Sequence, residues 1–293
     1  MAAAAASEWT SIDWSTHLHD ADVLDHRLRY LDYGEGEPIV LIHGLGGSWQ
    51  WWLENIPVLG CSNRVIAVDM PGFGNSERLA GPFEFDVYTH TLEALVDQLE
   101  LDRVVMVGHS LGGLMATRFA LEHPNRLAGL VLVDAGGIAL SPWRLRLIVS
   151  GFLLFDAIFR RPVINRAFSQ RPGLRRLLFR AGTKDASTLS GQLAGEILPL
   201  MVSLGFADGV VAGGKAAAVT GAERIRTPTL LIWGRDDRIL PVAQAEELAS
   251  SLPDARLVVL DGVGHCPMFE RPDEFNRALR RFAAEIASTT AGR

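Results

Sequence analysis

Val107-Gly108-His109-Ser110-Leu111-Gly112-Gly113 carries the clearest structural signal in the chain. It follows the apolar, β-branched run Arg103-Val-Val-Met-Val-Gly108 and opens a helical pattern that stops near Pro124. A strand that turns at once into a helix leaves Ser110 on a tight bend with its hydroxyl exposed. Glycine two residues to either side is what such a bend needs, because neighbouring backbone approaches too closely there for a Cβ. The helix N-terminus adds a positive dipole end and free N–H donors beside the hydroxyl.

Similar runs recur on both sides of this stretch. Pro38–His43, Arg64–Asp69, Gly129–Asp134, Thr229–Trp233 and Arg256–Asp261 are apolar throughout, without polar alternation. Continuous runs of that kind fit strands buried on both faces, and hence a mostly parallel sheet. Helical patterns separate them, such as Thr89–Leu99 with Leu92, Leu95, Val96 and Leu99 on one face. Val23–Tyr33 alternates like an antiparallel edge strand. The class expected is α/β, a mostly parallel doubly wound sheet.

The rhythm breaks after Asp134. Residues 137–222 hold no buried-strand run but apolar helical stretches punctuated by Pro and Gly, above all Trp143–Arg161. The expected organisation is a core formed by 1–136 and 223–293, with 137–222 inserted after the sixth strand as a helical cap. This insert carries eleven basic side chains against four acidic ones, a charge of +7, which leaves −13 on the rest of the chain.

Composition narrows the function. The chain has 293 residues, 48% of them hydrophobic, and a formal charge of −6. That composition argues against disorder and against nucleic-acid binding, which wants a net basic face. Two cysteines, Cys61 and Cys266, are too few for a disulfide framework and sit in no metal-ligand spacing. The N-terminal stretch lacks the pattern of a signal peptide, and the longest uncharged apolar stretch is Leu147–Phe155, far short of the roughly 20 residues a spanning helix needs. A cytoplasmic protein with no transmembrane segment is expected, of unknown oligomeric state.

On these residues the chain resembles the α/β-hydrolase superfamily. His43-Gly44-Leu45-Gly46-Gly47 is similar to the family's oxyanion loop, and Asp69-Met-Pro-Gly-Phe-Gly-Asn-Ser76 to its turn after the next strand. The family's order of Ser, acid and His is met by Ser110, by Trp233-Gly-Arg-Asp-Asp-Arg-Ile-Leu-Pro241 and by Gly262-Val-Gly-His265. The resemblance implies Ser110 as nucleophile, His265 as base and Asp237 as the carboxylate that orients it. Asp236 and Asp134 remain rival acids. It further implies that the backbone N–H groups of Leu45 and Leu111 hold the oxyanion, and that neither metal nor organic cofactor is needed.

The chemistry demands those residue types. A serine hydroxyl is a weak nucleophile near neutral pH until an imidazole removes its proton, and the imidazole needs a carboxylate on its other nitrogen. Among the remaining candidates, His43 is read as a brace for the oxyanion loop and His109 as packing beside the bend. Asp69 is taken to stabilise its own turn, Cys266 to line the pocket, and Trp49, Trp51 and Trp52 either to line it or to pack the core. The cap, rich in Leu, Phe, Ile and Met, predicts an apolar pocket. Trp143–Arg161 reads either as a helix buried against the core or as a lid that meets a hydrophobic interface.

The expected activity is hydrolysis of carboxylic esters with an apolar acyl or alcohol part through an acyl-enzyme. Carbon–carbon bond hydrolysis of the dienone-cleaving type is the alternative. That branch usually has an aromatic after the base, where this chain has Cys266. A low-turnover ligand receptor of the same fold is the other.

Overall fold

The computed structural model describes residues 8–78, 84–136, 142–159, 161–180, 182–201 and 221–291. Eight strands form one sheet: β1 (Leu18–Val23), β2 (His26–Tyr33), β3 (Glu37–Ile42), β4 (Asn63–Val68), β5 (Val104–His109), β6 (Leu127–Val133), β7 (Thr229–Gly234) and β8 (Ala255–Leu260). Their spatial order is β1-β2-β4-β3-β5-β6-β7-β8. Pairings β1–β2 and β2–β4 are antiparallel and the others parallel.

The five apolar runs and the strand before Ser110 all lie in this sheet. Val23–Tyr33, however, is not one edge strand. Leu24 and Asp25 both take positive φ, 51° and 63°, the turn a two-residue hairpin requires. The chain reverses there, so β1 is the edge and β2 pairs on both sides.

Side chains alternate across the parallel strands, and each face has its own core. Val40, Ile42, Val104, Met106, Leu130, Leu132, Leu231 and Trp233 pack on one face. They meet Leu92, Leu95 and Val96 of α2 (Phe85–Gln98), Leu114 and Phe119 of α3 (Leu111–Glu122) and Leu248. Ile39, Leu41, Val105, Val107, Val131, Val133, Leu230 and Ile232 pack on the other, against Trp49, Trp51, Trp52, Phe275, Leu279 and Phe282. Burying each such side chain contributes about 1.5–3 kcal/mol, so the sheet is a rigid platform. Trp49, Trp51 and Trp52 therefore belong to the core, each no more than 6% exposed.

Between β6 and β7 the described residues form no strand. They form α4 (Pro142–Phe159), α5 (Pro162–Gln170), α6 (Pro172–Phe179) and α7 (Gly191–Ile197). Pro162 and Pro172 each sit at the first position of a new helix, and the residue before a proline is pushed out of the helical region. That breaks the segment into short pieces. The β3–β5 boundary, where connections leave to opposite sides, is the switch point at which open α/β sheets form their sites.

Candidate active site

Ser110 occupies the bend between β5 and α3 with φ 52° and ψ −115°, a conformation a non-glycine residue adopts only under constraint. The constraint is visible. The Ser110 N–H donates to Val133 O at 3.0 Å, while Ser110 O accepts from Gly113 N at 3.0 Å and Gly136 N at 3.1 Å. A Cβ on Gly108 would stand 2.4 Å from Gly112 O, and one on Gly112 would stand 2.4 Å from His43 O. Both glycines are thus required by close backbone approach.

His265 lies on the loop after β8. Its Nε2 accepts from Ser110 Oγ at 3.0 Å and its Nδ1–H donates to Asp237 Oδ2 at 2.7 Å. The loop after β7 supplies Asp237, whose other oxygen accepts from Ile239 N at 2.7 Å and Leu240 N at 3.0 Å. Burial pushes the Asp237 carboxyl up, but the charge of His265 and these hydrogen bonds outweigh it and hold the group below its ordinary value. Asp236 points elsewhere: it is paired with Lys184 Nζ at 2.8 Å on the surface. Three residues more than a hundred positions apart at the extremes are thus in one hydrogen-bonded line.

Access is narrow. From Ile39 to Leu53 only Leu45 is partly exposed, and from Val104 to Thr117 only Ser110 and Leu111 are. The loop after β3 runs beside the bend, since a Cβ on Gly44 would stand 3.0 Å from Ser110 Cβ. Leu111 is the first residue of α3, where backbone N–H groups have no partner within the helix.

His43 and His109 act as braces. His43 Nδ1–H donates to Gly44 O at 2.7 Å and Nε2 accepts from Met70 N at 3.1 Å, tying the loop after β3 to the turn after β4. Burial pushes its pKa down to about 4, so it stays neutral. His109 Nε2–H donates to His265 O at 2.8 Å; burial, with the His265 charge, pushes it down to about 3. Asp69 accepts from Asn75 N within its own turn at 2.9 Å and also from Trp49 N at 2.7 Å. Burial raises it to about 7. Cys266 is buried, and burial pushes its thiol well up, so it is no rival nucleophile.

Two contributors were not apparent from the sequence. Glu270 accepts from Gly264 N at 3.0 Å, Cys266 N at 3.3 Å and Lys184 N at 2.7 Å, so one carboxylate fixes both sides of His265 and the base of the cap. Asp134, at the end of β6 with φ 39°, accepts from Gly234 N at 3.0 Å. Its other oxygen is buried without a donor partner. Nothing in Cys-Pro-Met-Phe-Glu270 marks a loop anchor, and the rival reading of Asp134 placed it on the imidazole rather than behind the acid.

The α/β hydrolase fold family model matches residues 37–272. A 2-hydroxy-6-oxononadienedioate/2-hydroxy-6-oxononatrienedioate hydrolase of Pseudomonas putida is 31% identical, over 88% of this chain and 92% of its own. A 2-hydroxy-6-oxo-6-phenylhexa-2,4-dienoate hydrolase of Comamonas testosteroni is 28% identical, over 89% and 92%. Among solved structures, the meta-cleavage product hydrolase CumD of Pseudomonas fluorescens IP01 is similar with a TM-score of 0.75 and 26% identity, over 91% of this chain and 97% of that one. With the family model spanning β3 to β8, the bend at Ser110 and the loop of His265, the chain belongs to the α/β hydrolase fold family and is a hydrolase.

Proposed function

We propose that the chain hydrolyses a carbon–carbon bond next to a ketone, in substrates of the 2-hydroxy-6-oxo-dienoate class, with Ser110 as nucleophile. The hydrogen-bonded line Ser110–His265–Asp237 carries the chemistry. The substrate class rests on the relatives, whose names all specify such dienoates. In this reading Ser110 Oγ attacks the ketone carbon as its proton passes to His265 Nε2, and the N–H groups of Leu45 and Leu111 hold the oxyanion. Losing one such donor typically costs about 2.7–4 kcal/mol.

Collapse of the tetrahedral intermediate breaks the carbon–carbon bond, and the electron pair needs somewhere to go. A vinyl carbanion is a poor leaving group. Tautomerisation of the 2-hydroxydienoate to its 2-keto form places the departing carbon where its electrons delocalise into that ketone. His265 Nε2–H then returns its proton to the leaving carbon. Water, deprotonated by His265, attacks the Ser110 ester, releasing the acid and restoring the hydroxyl. Asp237 keeps the imidazole in the right tautomer throughout.

Ester hydrolysis with an apolar acyl or alcohol part is the second reading. It is favoured by Cys266, which stands where the dienone-cleaving branch usually has an aromatic. Both readings use the same acyl-enzyme, so rates on two substrates separate them. Cleavage of a phenyl-substituted dienoate, followed by loss of the dienolate absorbance, is expected to exceed turnover of 4-nitrophenyl esters in kcat/KM. The reverse ranking supports the ester reading. Ser110→Ala is expected to abolish both activities, a loss of about 10⁶ in kcat. Near-stoichiometric ester release without further turnover would instead indicate a ligand receptor.

A further inference from the structure

A long, largely apolar helix of the insert leaves one of its faces exposed. On α4, Trp143, Leu147, Leu154 and Ile158 are 67%, 68%, 62% and 40% exposed. Their spacings of four, seven and four residues put them on one face. Between them Ser150, Gly151 and Ala157 are exposed and small, so the stripe is continuous for about 22 Å at 1.5 Å per residue. Val163 of α5 and Leu177 of α6 add two more exposed apolar side chains, at 81% and 63%.

The inward face of α4 already has its partners. Phe155 stacks on Phe159 at 4.5 Å between centroids, and Phe159 meets Phe168 of α5 at 4.8 Å. The outward stripe is therefore surplus to folding. A contiguous exposed patch of this kind marks an interaction surface rather than ordinary scatter.

Charge selects the occupant. Residues 142–180 contain nine arginines and a single acid, Asp156. Arg146, Arg161, Arg171, Arg176 and Arg180 are exposed among them. A second copy docking symmetrically through this face would set one arginine-rich surface against another, with a single acid on each side to offset the repulsion. An anionic lipid surface offers the opposite charge together with an apolar layer for the stripe. Among the described residues no helix is long and apolar enough to cross a membrane, so the stripe suits a helix lying in the interface plane.

We propose that the α4–α6 face docks on anionic lipid bilayers, with the Trp143–Ile158 stripe in the acyl boundary and the arginines on the headgroups. This inference does not depend on which carbonyl substrate is cleaved. The test is flotation of the whole chain with phosphatidylcholine vesicles, with and without about one third phosphatidylglycerol. The wild type is expected to float with the anionic vesicles and to be released by salt. Leu147→Glu/Leu154→Glu is expected to lower partitioning about tenfold or more while keeping the thermal transition and the hydrolysis of a dissolved ester. Arg146→Ser/Arg176→Ser, which leaves the stripe intact, is expected to weaken the preference for anionic lipid. The proposal is overturned if the wild type does not float, or if it floats equally well after both leucines are replaced. A lipid-free dimer broken by the same replacements, without vesicle binding, would assign the face to a second copy instead.

Discussion

The carboxyl groups of Asp134 and Asp237 and the imidazole of His265 lie within 4.8 Å of one another, and Asp134 is fully buried. Two ionised carboxylates so close only accept hydrogen bonds and repel. Burial, and then the charge of Asp237, push the Asp134 carboxyl well above its ordinary value of 3.8. A proton kept on Asp134 turns it into a donor toward Asp237 and leaves the negative charge on the carboxylate that faces His265.

This has a consequence for stability against pH. Folding raises the affinity of Asp134 for its proton, so the native state binds more protons than the unfolded chain between 3.8 and the raised value. Its contribution is therefore full below the ordinary value and is lost as pH rises through that window. Asp134→Asn, which donates at any pH, is expected to flatten the decline. The measurement is the difference in Tm between the two proteins across the acid range; parallel curves would show that Asp134 is not protonated.

Catalysis should report on the same pair. Asp237→Asn is expected to lower kcat about 10³–10⁴-fold by favouring the wrong imidazole tautomer. In Asp237→Ala, Asp134 is the carboxylate left beside His265. It is expected to sustain a residual rate that falls further in Asp134→Asn/Asp237→Ala. Equal rates for the single and double variants would deny Asp134 that capacity.

Glu270 takes three backbone N–H donors from the segments around His265 and Lys184. Glu270→Ala leaves them buried without an acceptor, at about 1–3 kcal/mol each before relaxation. A lowered Tm is expected together with a drop in kcat larger than the change in KM, because the imidazole of His265 loses its fixed position. Thermal melts and steady-state kinetics on the same preparation decide this.

Gly112 offers a control on the bend. In Gly112→Ala the new methyl group would lie 2.4 Å from His43 O and 2.6 Å from Ile42 O, both backbone. Neither can move without disturbing β3, so a loss at the upper end of the roughly 1–3 kcal/mol typical of an overpacked core is expected. Chemical denaturation measures it, and an unchanged midpoint would show that the bend is looser than described.

Much of this was legible in the sequence because its causes are local. The six apolar runs became strands since continuous Val, Ile and Leu suit a sheet covered on both faces, and Gly108 and Gly112 announced the bend at Ser110. What escaped depends on distant partners. The reversal at Leu24-Asp25 lacks glycine, so the hairpin read as one strand. Whether the apolar face of α4 meets the core or solvent is set by where the helix lies, not by its own pattern. Asp237 was singled out from its neighbour Asp236 by the resemblance alone; the physical reason, the bond from Lys184 that holds Asp236 on the surface, depends on a distant partner.

The base of the cap is stitched to the His265 loop. Gly182 O accepts from His265 N at 2.7 Å, Lys184 N donates to Glu270, and a Cβ on Gly264 would stand 2.6 Å from Lys184 N. Chimeras that exchange roofs between relatives therefore have to carry residues 182–184 and 262–270 from the same parent. A transplant cut simply at the sheet borders would inherit a His265 loop with foreign moorings.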